Sequence, residues 1–452
     1  MNLNVVKCGI NGEGIAYLGK KPVFLPGAFP EEYAECEITE DHGTYAKAKL
    51  KRILTPSSAR RPSPCPYSRE CGGCPLIELN YESQLKIKRD LLAEALWKYG
   101  HVKESLIREI RPSAKEFGYR SALKLPVQER NGKAVCGMYK TGTNHFTEID
   151  QCPLHDETLE AIRRTVLAIL HEENFPAYEA GHGLRYLIMR RIDHAISIAL
   201  ITGKDELSET LIQKLSLLPE VISIVQSVNT SKDTVRMFGS TSKVLYGEET
   251  IAAQFHGFTV YLSAESFFQL NPEQAEALYE TAVSKVDPCG VLVEAYCGIG
   301  VMSLMAKDKA RKVYGMESVP QAIENAKRSA EANRVPNLTF RTADAAEGLA
   351  EVLKEKKVDI LLADPPRAGM DQAMIDTILS SSISKIIYVS CNPATLGRNI
   401  HELKREYDVR TVIPFDLFPN TPHCESVTVL TRRGTSDRTV KRKRRKKANH
   451  EL

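Results

Sequence analysis

Val291-Leu292-Val293-Glu294-Ala295 runs directly into Tyr296-Cys297-Gly298-Ile299-Gly300 and then Val301-Met302-Ser303-Leu304. A short apolar run that stops at a glycine-bearing loop and continues as a helical stretch reads as strand, tight turn and helix. The glycines let the backbone pass tightly between the two elements and approach a ligand closely. Downstream, the same alternation repeats: strands at Lys312–Met316, Leu338–Arg341, Val358–Ala363 and Lys385–Ser390, with helical stretches at Pro320–Asn333 and Met370–Leu379. Strands alternating with helices predict a doubly wound, mostly parallel α/β sheet.

In such sheets ligands bind beyond the carboxyl ends of the strands, so the residues just after each strand carry the functional signal. The second strand ends in Glu317, about 20 residues past the loop, where a carboxylate can accept hydrogen bonds from ribose hydroxyls. A dinucleotide would favour the longer G-x-G-x-x-G frame. Here the frame is G-x-G, with no lysine or arginine in the loop to meet a pyrophosphate. A phosphate-free nucleoside fits better, S-adenosylmethionine being the common one, with a dinucleotide as the alternative. Asp344, after the third strand, suits an adenine amino group.

The fourth strand delivers Asp364-Pro365-Pro366-Arg367 and the fifth Ser390-Cys391-Asn392-Pro393. Amine-methylating enzymes often place an aromatic after D/N-P-P; Arg367 stands there instead, which argues against an exocyclic amine target. Asp364 also has a plain reading as a helix N-cap, and Cys391 one as a small buried hydrophobe. A thiol at this edge has a use if the methyl acceptor is carbon. Carbon 5 of a pyrimidine is a weak nucleophile until a thiolate adds to carbon 6, and a base must then remove the carbon-5 proton. Asp416, His423 and Glu425 are the candidates for that base.

Outside this sheet, residues 1–55 alternate short β-rich runs with glycine turns and predict a small barrel. The stretch 55–64 reads as a linker, succeeded by a cysteine-rich loop (65–75) and a helix over about 80–99 that stops at Gly100. Strands at Leu184–Met189 and Ala195–Ile201 and helices near 157–171 and 205–217 make 117–262 a mixed α+β region. The expected organisation is a barrel (1–58), a central α+β unit (59–262, whose helix 80–99 packs on the catalytic unit), a catalytic α/β unit (263–435) and a basic tail (436–452). Such a length, 452 residues, exceeds what one core supports.

Composition is that of a soluble protein, 42% hydrophobic and 26% charged. No run approaches a membrane span and the N-terminus has no signal-peptide core, so a cytoplasmic protein without membrane contact is expected, acting as a monomer. The net charge is +4, yet every residue from Lys441 to Lys447 is basic, so the rest of the chain is net negative. That block is an interaction arm for polyphosphate or a solubilising tail. Of eleven cysteines, Cys8, Cys36, Cys136, Cys289 and Cys424 read as packing residues. Cys65-x5-Cys71-Gly72-Gly73-Cys74 with the distant Cys152-Pro153 makes a four-thiolate set for zinc or an iron–sulfur cluster, and the three-plus-one spacing leans toward [4Fe–4S].

Taken together, Tyr296-Cys297-Gly298-Ile299-Gly300, Asp364-Pro365-Pro366-Arg367, Val389-Ser390-Cys391-Asn392-Pro393 and Phe418-Pro419-x-Thr421-x-His423-x-Glu425 resemble, in order and spacing, the RNA uracil-5 methyltransferases. Ser266-Phe267-Phe268-Gln269-Leu270-Asn271 extends the likeness. The resemblance implies a Rossmann-like class I methyltransferase domain, Cys391 as nucleophile, and Glu425 as the proton acceptor. It implies Gln269, Tyr296, Gly298, Gly300, Glu317 and Asp364 at the cofactor. It also implies a [4Fe–4S] cluster on Cys65, Cys71, Cys74 and Cys152, and an N-terminal TRAM domain that binds RNA. Glu294 stands where many members have Asp, and Val301 where many have Thr or Asn. The substrate this implies is 23S ribosomal RNA, with transfer RNA as the alternative. An RNA cytosine-5 methyltransferase is less favoured because no second cysteine comes after Asp364, and a non-catalytic RNA-binding protein leaves Cys391 and Glu425 unexplained. Two segments interleave basic and aromatic residues, Gly118-Tyr119-Arg120 and Leu184–Arg191, and are candidate phosphate contacts beside an extruded base.

Overall fold

In the computed structural model the described residues are 1–140, 142–232 and 236–434, so the expected basic tail lies outside them. The N-terminal strands β1 (Asn2–Cys8), β2 (Gly14–Leu18), β3 (Lys21–Leu25), β4 (Tyr33–Asp41) and β5 (Ala46–Thr55) close into a barrel in the order β1-β2-β3-β5-β4. Alternation along β1 sends Leu3 and Val5 inward onto Ala16, Val23, Leu25 and Ala34. Gly14 is required at the corner, because a Cβ there would stand 2.6 Å from the Ala28 carbonyl oxygen.

The cysteine-rich loop contains one short turn of helix, α1 (Ser68–Cys71), and leads to α2 (Tyr81–Gly100). Asn80 caps α2, accepting from the Ser83 N–H at 2.9 Å. The helix ends at Gly100 as expected, and the left-handed residue that closes it is His101, at φ 48°. What requires glycine at 100 is packing, since a Cβ there would lie 2.9 Å from the carbonyl oxygen of Gly397 on a neighbouring helix.

A central sheet comes next, ordered β12-β11-β10-β9-β6-β7-β8. Its strands are β6 (Ala122–Arg130), β7 (Lys133–Tyr139), β8 (Phe146–Glu148), β9 (Leu184–Ile192), β10 (Ala195–Thr202), β11 (Val221–Val228) and β12 (Thr241–Gly247). Helices α3 (Glu157–Glu172) and α4 (Glu209–Ser216) bury Leu159, Val166, Leu170, Leu211 and Leu215 against it. The hairpin β13 (Thr250–Phe255) and β14 (Phe258–Ser263) joins the next core instead, with Phe255, Val260 and Leu262 buried there.

That core surrounds a second seven-stranded sheet, β17-β16-β15-β18-β19-β21-β20. It is built from α5 (Pro272–Ser284), β15 (Cys289–Ala295), α6 (Val301–Met305), β16 (Ala310–Glu317), α7 (Pro320–Ala332), β17 (Leu338–Thr342), α8 (Ala345–Glu355), β18 (Ile360–Ala363), α9 (Gln372–Ser380), β19 (Lys385–Ser390), α10 (Pro393–Leu403), β20 (Tyr407–Phe415) and β21 (Glu425–Arg432). The first five strands are parallel; β21 inserts antiparallel between β19 and β20. Strand order reverses between β15 and β18, the crevice where open α/β sheets hold ligands. Helix α2, with Leu92 and Leu96 fully buried, packs on α10 and shares the core under this sheet. Among the described residues no helix is long and apolar enough to cross a membrane.

Candidate active site

The loop after β15 is held open by its own backbone. Gly298 and Gly300 sit at φ 53° and 77°, and Tyr296 adopts φ 62°, a left-handed conformation that costs a non-glycine residue about 1 kcal/mol. The two glycines answer to different constraints. A Cβ on Gly300 would strike the Phe340 ring at 2.6 Å, whereas one on Gly298 would meet nothing within 4 Å. Gly300 is therefore a packing requirement, and Gly298 borders free space where a ligand approaches the backbone.

Glu317 is oriented by three donors: the Gly298 N–H (3.2 Å), the Val319 N–H (3.1 Å) and the Ser318 hydroxyl (3.1 Å). A carboxylate has about four acceptor sites, so it retains capacity for a ribose hydroxyl. Glu294 lies fully inside; burial pushes its carboxyl up to about 8, while the Ser303 hydroxyl donates to Oε2. Its Oε1 is buried without a protein partner. An orphaned polar atom beside open backbone on the loop suits a bound polar cofactor. Asp344 ends β17 on the same edge, with Oδ1 capping α8 through the Ala346 N–H at 2.9 Å. These residues fit an adenosyl cofactor.

The next strands bring the reactive groups together. Asp364 comes after β18 and is not a helix cap, because α9 begins later and is capped by Asp371. Burial pushes the Asp364 carboxyl up to about 7. Cys391 comes directly after β19, half-buried, its thiol pushed up to about 11 by burial and then by Glu425 and Asp364, while Arg367 pulls it down. Glu425 starts β21; burial, with Asp364 adding to it, raises its carboxyl to about 8, and Arg367 opposes. Since β19 and β21 are antiparallel with Ser390 opposite Ser426, the end of one and the start of the other share an edge. Tyr279, on α5, is suggested by no motif, yet it is hydrogen-bonded to Gln269 and lies within electrostatic reach of Asp364, Glu425 and Glu294.

Of the three candidate bases, one is paired elsewhere and one is held as a weak base. Asp416 forms an ion pair with Lys88 of α2, both side chains fully buried, and Lys88 also donates to the Phe418 carbonyl at 2.9 Å. His423 Nε2 lies 3.4 Å from Arg367, and burial together with that cation drives its imidazole down to about 4, which keeps it neutral. Glu425 alone stands on the Cys391 edge with a carboxylate.

The loop between β20 and β21 is tethered from outside at Asn420, buried and at φ 69°. Its N–H donates to Gln84 Oε1 (2.7 Å), its Oδ1 accepts from Gln84 Nε2 (3.1 Å) and Arg61 (3.3 Å), and its Nδ2 donates to the Glu116 carbonyl (3.0 Å). Its carbonyl accepts the Leu76 N–H at 3.1 Å. Tyr119 donates to the adjacent Pro419 carbonyl at 3.0 Å. None of these partners is near Asn420 in sequence, so no local signal marks it.

The four cysteines of the predicted set converge, each thiol lying within electrostatic reach of the others. Burial drives Cys74 up to about 12, and His155 stands at hydrogen-bonding distance from Cys152. Leu76, whose N–H reaches Asn420, is two residues past Cys74, which links this set to the hairpin loop. The arginines named as candidate phosphate contacts, or as ordinary strand residues, have partners within the protein. Arg120 faces Cys74 and Cys152, with its Nε buried. Arg190 is buried against the carbonyls of Ser263 and Ser266. Arg191 pairs with Glu220 at 2.6 Å, and Arg185 donates to the carbonyls of Asn229 (3.1 Å) and Ser231 (2.8 Å). Interleaved basic and aromatic residues here mark arginines that brace loops, a role that local pattern does not distinguish from phosphate binding.

Comparison with known proteins agrees with this geometry. A family model described as tRNA (Uracil-5-)-methyltransferase matches residues 80–433, and a TRAM domain model matches residues 2–51. An uncharacterized RNA methyltransferase of Bacillus anthracis is 35% identical over 443 residues, covering 95% of this chain and 96% of its own. Another, from Listeria innocua, is 36% identical over 432 residues, covering 93% and 95%. Among solved structures, the Pyrococcus abyssi tRNA (uracil-54, C5)-methyltransferase in complex with S-adenosyl-L-homocysteine superposes with a TM-score of 0.76. It is 26% identical and covers 95% of this chain and 100% of that one.

Proposed function

The chain belongs to the tRNA (uracil-5-)-methyltransferase family and carries a TRAM domain, and from that premise we propose that it methylates carbon 5 of a uridine in 23S ribosomal RNA through a covalent Cys391 adduct. The observation that carries the mechanism is the shared edge of Cys391 and Glu425 beside Asp364. S-adenosylmethionine supplies an electrophilic methyl group in this reading, held by Gln269, Tyr296, Gly298, Gly300, Glu317, Asp344 and Asp364.

Cys391 gives up its proton to solvent, and its Sγ bonds to carbon 6 of the uracil as the carbon 5–carbon 6 double bond opens, which places electron density on carbon 5. Carbon 5 would take the methyl group as its bond to the sulfonium sulfur of S-adenosylmethionine breaks, with S-adenosylhomocysteine leaving, and would become tetrahedral. Glu425, ionised, removes the carbon-5 proton; the carbon 5–carbon 6 double bond re-forms and the carbon 6–sulfur bond breaks, returning Cys391. A carboxyl raised to about 8 is a stronger base than an ordinary one, which suits removal of a proton from carbon. Arg367, which lowers both the thiol and the carboxyl, is the cation at this centre.

Cys65, Cys71, Cys74 and Cys152 would hold a [4Fe–4S] cluster. Three clustered cysteines with a distant fourth followed by proline suit such a cluster better than the two paired knuckles usual for zinc. Its role is structural or in RNA binding, since methyl transfer to an activated pyrimidine moves no electron. The division proposed is a barrel, a central unit, a catalytic unit whose core takes in the β13–β14 hairpin, and a tail, the protein acting as a monomer in the cytoplasm.

The ribosomal assignment rests on the combination of a TRAM domain with four cluster cysteines, which resembles the ribosomal branch of the family. A transfer RNA substrate is the second reading, favoured by the likeness to the Pyrococcus abyssi enzyme. Mapping 5-methyluridine in ribosomal and transfer RNA from a strain lacking the gene tests both. Loss of the mark from 23S RNA supports the first, and loss from transfer RNA alone replaces it with the second.

A further inference from the structure

Residues 416–424 join β20 to β21, and the cross-strand pair Phe415–Glu425 closes this loop at its root. Glu425 thus sits at one end of a segment whose middle is held from outside. Two arms reach that middle, and each begins at a cysteine. Cys74 is followed by Pro75, whose ring fixes its own backbone, and then by fully buried Leu76, whose N–H donates to the Asn420 carbonyl at 3.1 Å. Cys152 is followed by Pro153, whose carbonyl accepts the Gly118 N–H at 2.9 Å; the adjacent Tyr119 hydroxyl donates to the Pro419 carbonyl at 3.0 Å. The arms end on neighbouring residues of the loop and meet again where the thiols of Cys74 and Cys152 converge. A group bonded to both thiols therefore closes them into one clamp.

Asn420 stands where the clamp grips. It is fully buried in a left-handed conformation, φ 69°. Its side chain adds bonds that its backbone does not supply: Oδ1 accepts from Gln84 Nε2 (3.1 Å) and Arg61 (3.3 Å), and Nδ2 donates to the Glu116 carbonyl (3.0 Å). From there the loop reaches the reacting centre in short steps. The Thr421 hydroxyl donates to the Phe418 carbonyl at 2.7 Å and accepts the His423 N–H at 3.4 Å. His423 Nε2 in turn lies 3.4 Å from Arg367. The thiol is held by other elements: Cys391 follows β19, an inner strand, and the next residue, Asn392, donates to the Arg367 carbonyl at 3.0 Å and caps α10.

We propose that Asn420 is a positioning residue for Glu425, and that bridging of Cys65, Cys71, Cys74 and Cys152 locks it, so that the base stands at the Cys391 edge only when the cysteine set is closed. This makes the role of the set structural and aims it at one half of the reaction. Opening the clamp misplaces the base and leaves the thiol where it is. The proposal rests on the reading of Glu425 as the base and adds no step to the reaction.

The test follows the two halves separately in full-length protein purified anaerobically. Labelled methyl incorporation in a single turnover reports addition and methyl transfer; release of tritium from carbon 5 of uridine in RNA reports proton removal. Asn420→Gly keeps the left-handed backbone and its bonds to Leu76 and Gln84 while deleting the side chain. Methyl incorporation should persist while tritium release slows about 10- to 100-fold, the scale that a misplacement of about 1 Å imposes on a reacting group. Covalent protein–RNA adduct should then accumulate. Asn420→Asp, which retains Oδ1, should recover part of the rate. Tyr119→Phe, which removes one hydroxyl and leaves every cysteine in place, should show the same selective slowing to a smaller degree. Hydrogen exchange across 416–424 gives a readout independent of activity, and it should quicken in Asn420→Gly and in Cys74→Ser. Equal loss of both half-reactions without adduct, or unchanged exchange in Cys74→Ser, overturns the proposal. An adduct in Glu425→Gln with none in Asn420→Gly overturns it alone, whereas no adduct in either variant removes Glu425 as the base and the proposal with it.

Discussion

Cys391 and Glu425 stand side by side on the carboxyl edge of the catalytic sheet, each one residue beyond the cross-strand pair Ser390–Ser426. The reversal of β21 creates this relationship, because in a parallel strand the residue at a strand's start would lie at the opposite edge. Glu425 in turn raises the thiol of Cys391, which places the two in one electrostatic unit.

Cys391→Ala should abolish methyl transfer, measured as loss of labelled methyl incorporation into RNA, while RNA binding persists. Glu425→Gln should stall the reaction after methylation and leave a covalent protein–RNA adduct visible on a denaturing gel. Turnover by Cys391→Ala would eliminate the covalent route, and absence of an adduct in Glu425→Gln would remove Glu425 as the base.

The rate should rise with pH. In the proposed mechanism Glu425 acts ionised, with its carboxyl raised to about 8, and Cys391 acts as thiolate, with its thiol raised to about 11. The profile of kcat should therefore still be climbing between pH 7 and about 8. A flat profile across that range would show that neither group limits the reaction.

Stability should move the other way. The carboxyl of Glu294 is raised to about 8 when folded, so the native state holds its proton more tightly than the unfolded chain. Stability from this group is present at low pH and is lost as pH rises from the ordinary carboxylate range through about 8. Glu294→Gln should flatten the fall in Tm over that interval; an unchanged slope would mean the group is not buried as described.

Lys88→Met leaves the buried Asp416 without its cation and should cost about 3–5 kcal/mol, seen as a lower denaturant midpoint. Lys88→Met combined with Asp416→Leu should recover most of that loss. If the single substitution is neutral, the pair is not closed to water.

Gly300→Ala should lower Tm, since a Cβ there meets the Phe340 ring at 2.6 Å. Gly298→Ala should lose only about 1 kcal/mol from its left-handed backbone, yet weaken S-adenosylmethionine binding by calorimetry, because its Cβ enters the free space beside the loop. Equal effects of the two on Tm would contradict this separation.

Iron analysis and visible absorption of anaerobically purified protein check the cysteine set. Four irons per chain with broad visible absorption are expected, reduced by Cys152→Ser; stoichiometric zinc would replace the cluster assignment.

Much of the molecule is legible in the chain because its signals are local. Apolar runs ending near Gly298, Glu317, Asp364 and Cys391 announce both the strands and the candidate site residues at their carboxyl ends, since periodicity and turn chemistry act over a few residues. The helices over 345–355 and 393–403 are not among those predicted from sequence, and Gly100 reads as a stop although the reason for it lies on α10.

From its sequence alone the protein is a class I methyltransferase with a barrel, a thiol at the fifth strand's end and three candidate bases behind it. Tertiary structure sets the three candidates apart: Lys88 from α2 pairs with Asp416, burial and Arg367 keep His423 neutral, and the antiparallel β21 puts Glu425 beside Cys391. It also turned Arg120 and Arg190 into internal braces. Each of these outcomes depends on which distant residue arrives as partner, and burial and charge pairing between segments hundreds of residues apart leave no trace in local pattern.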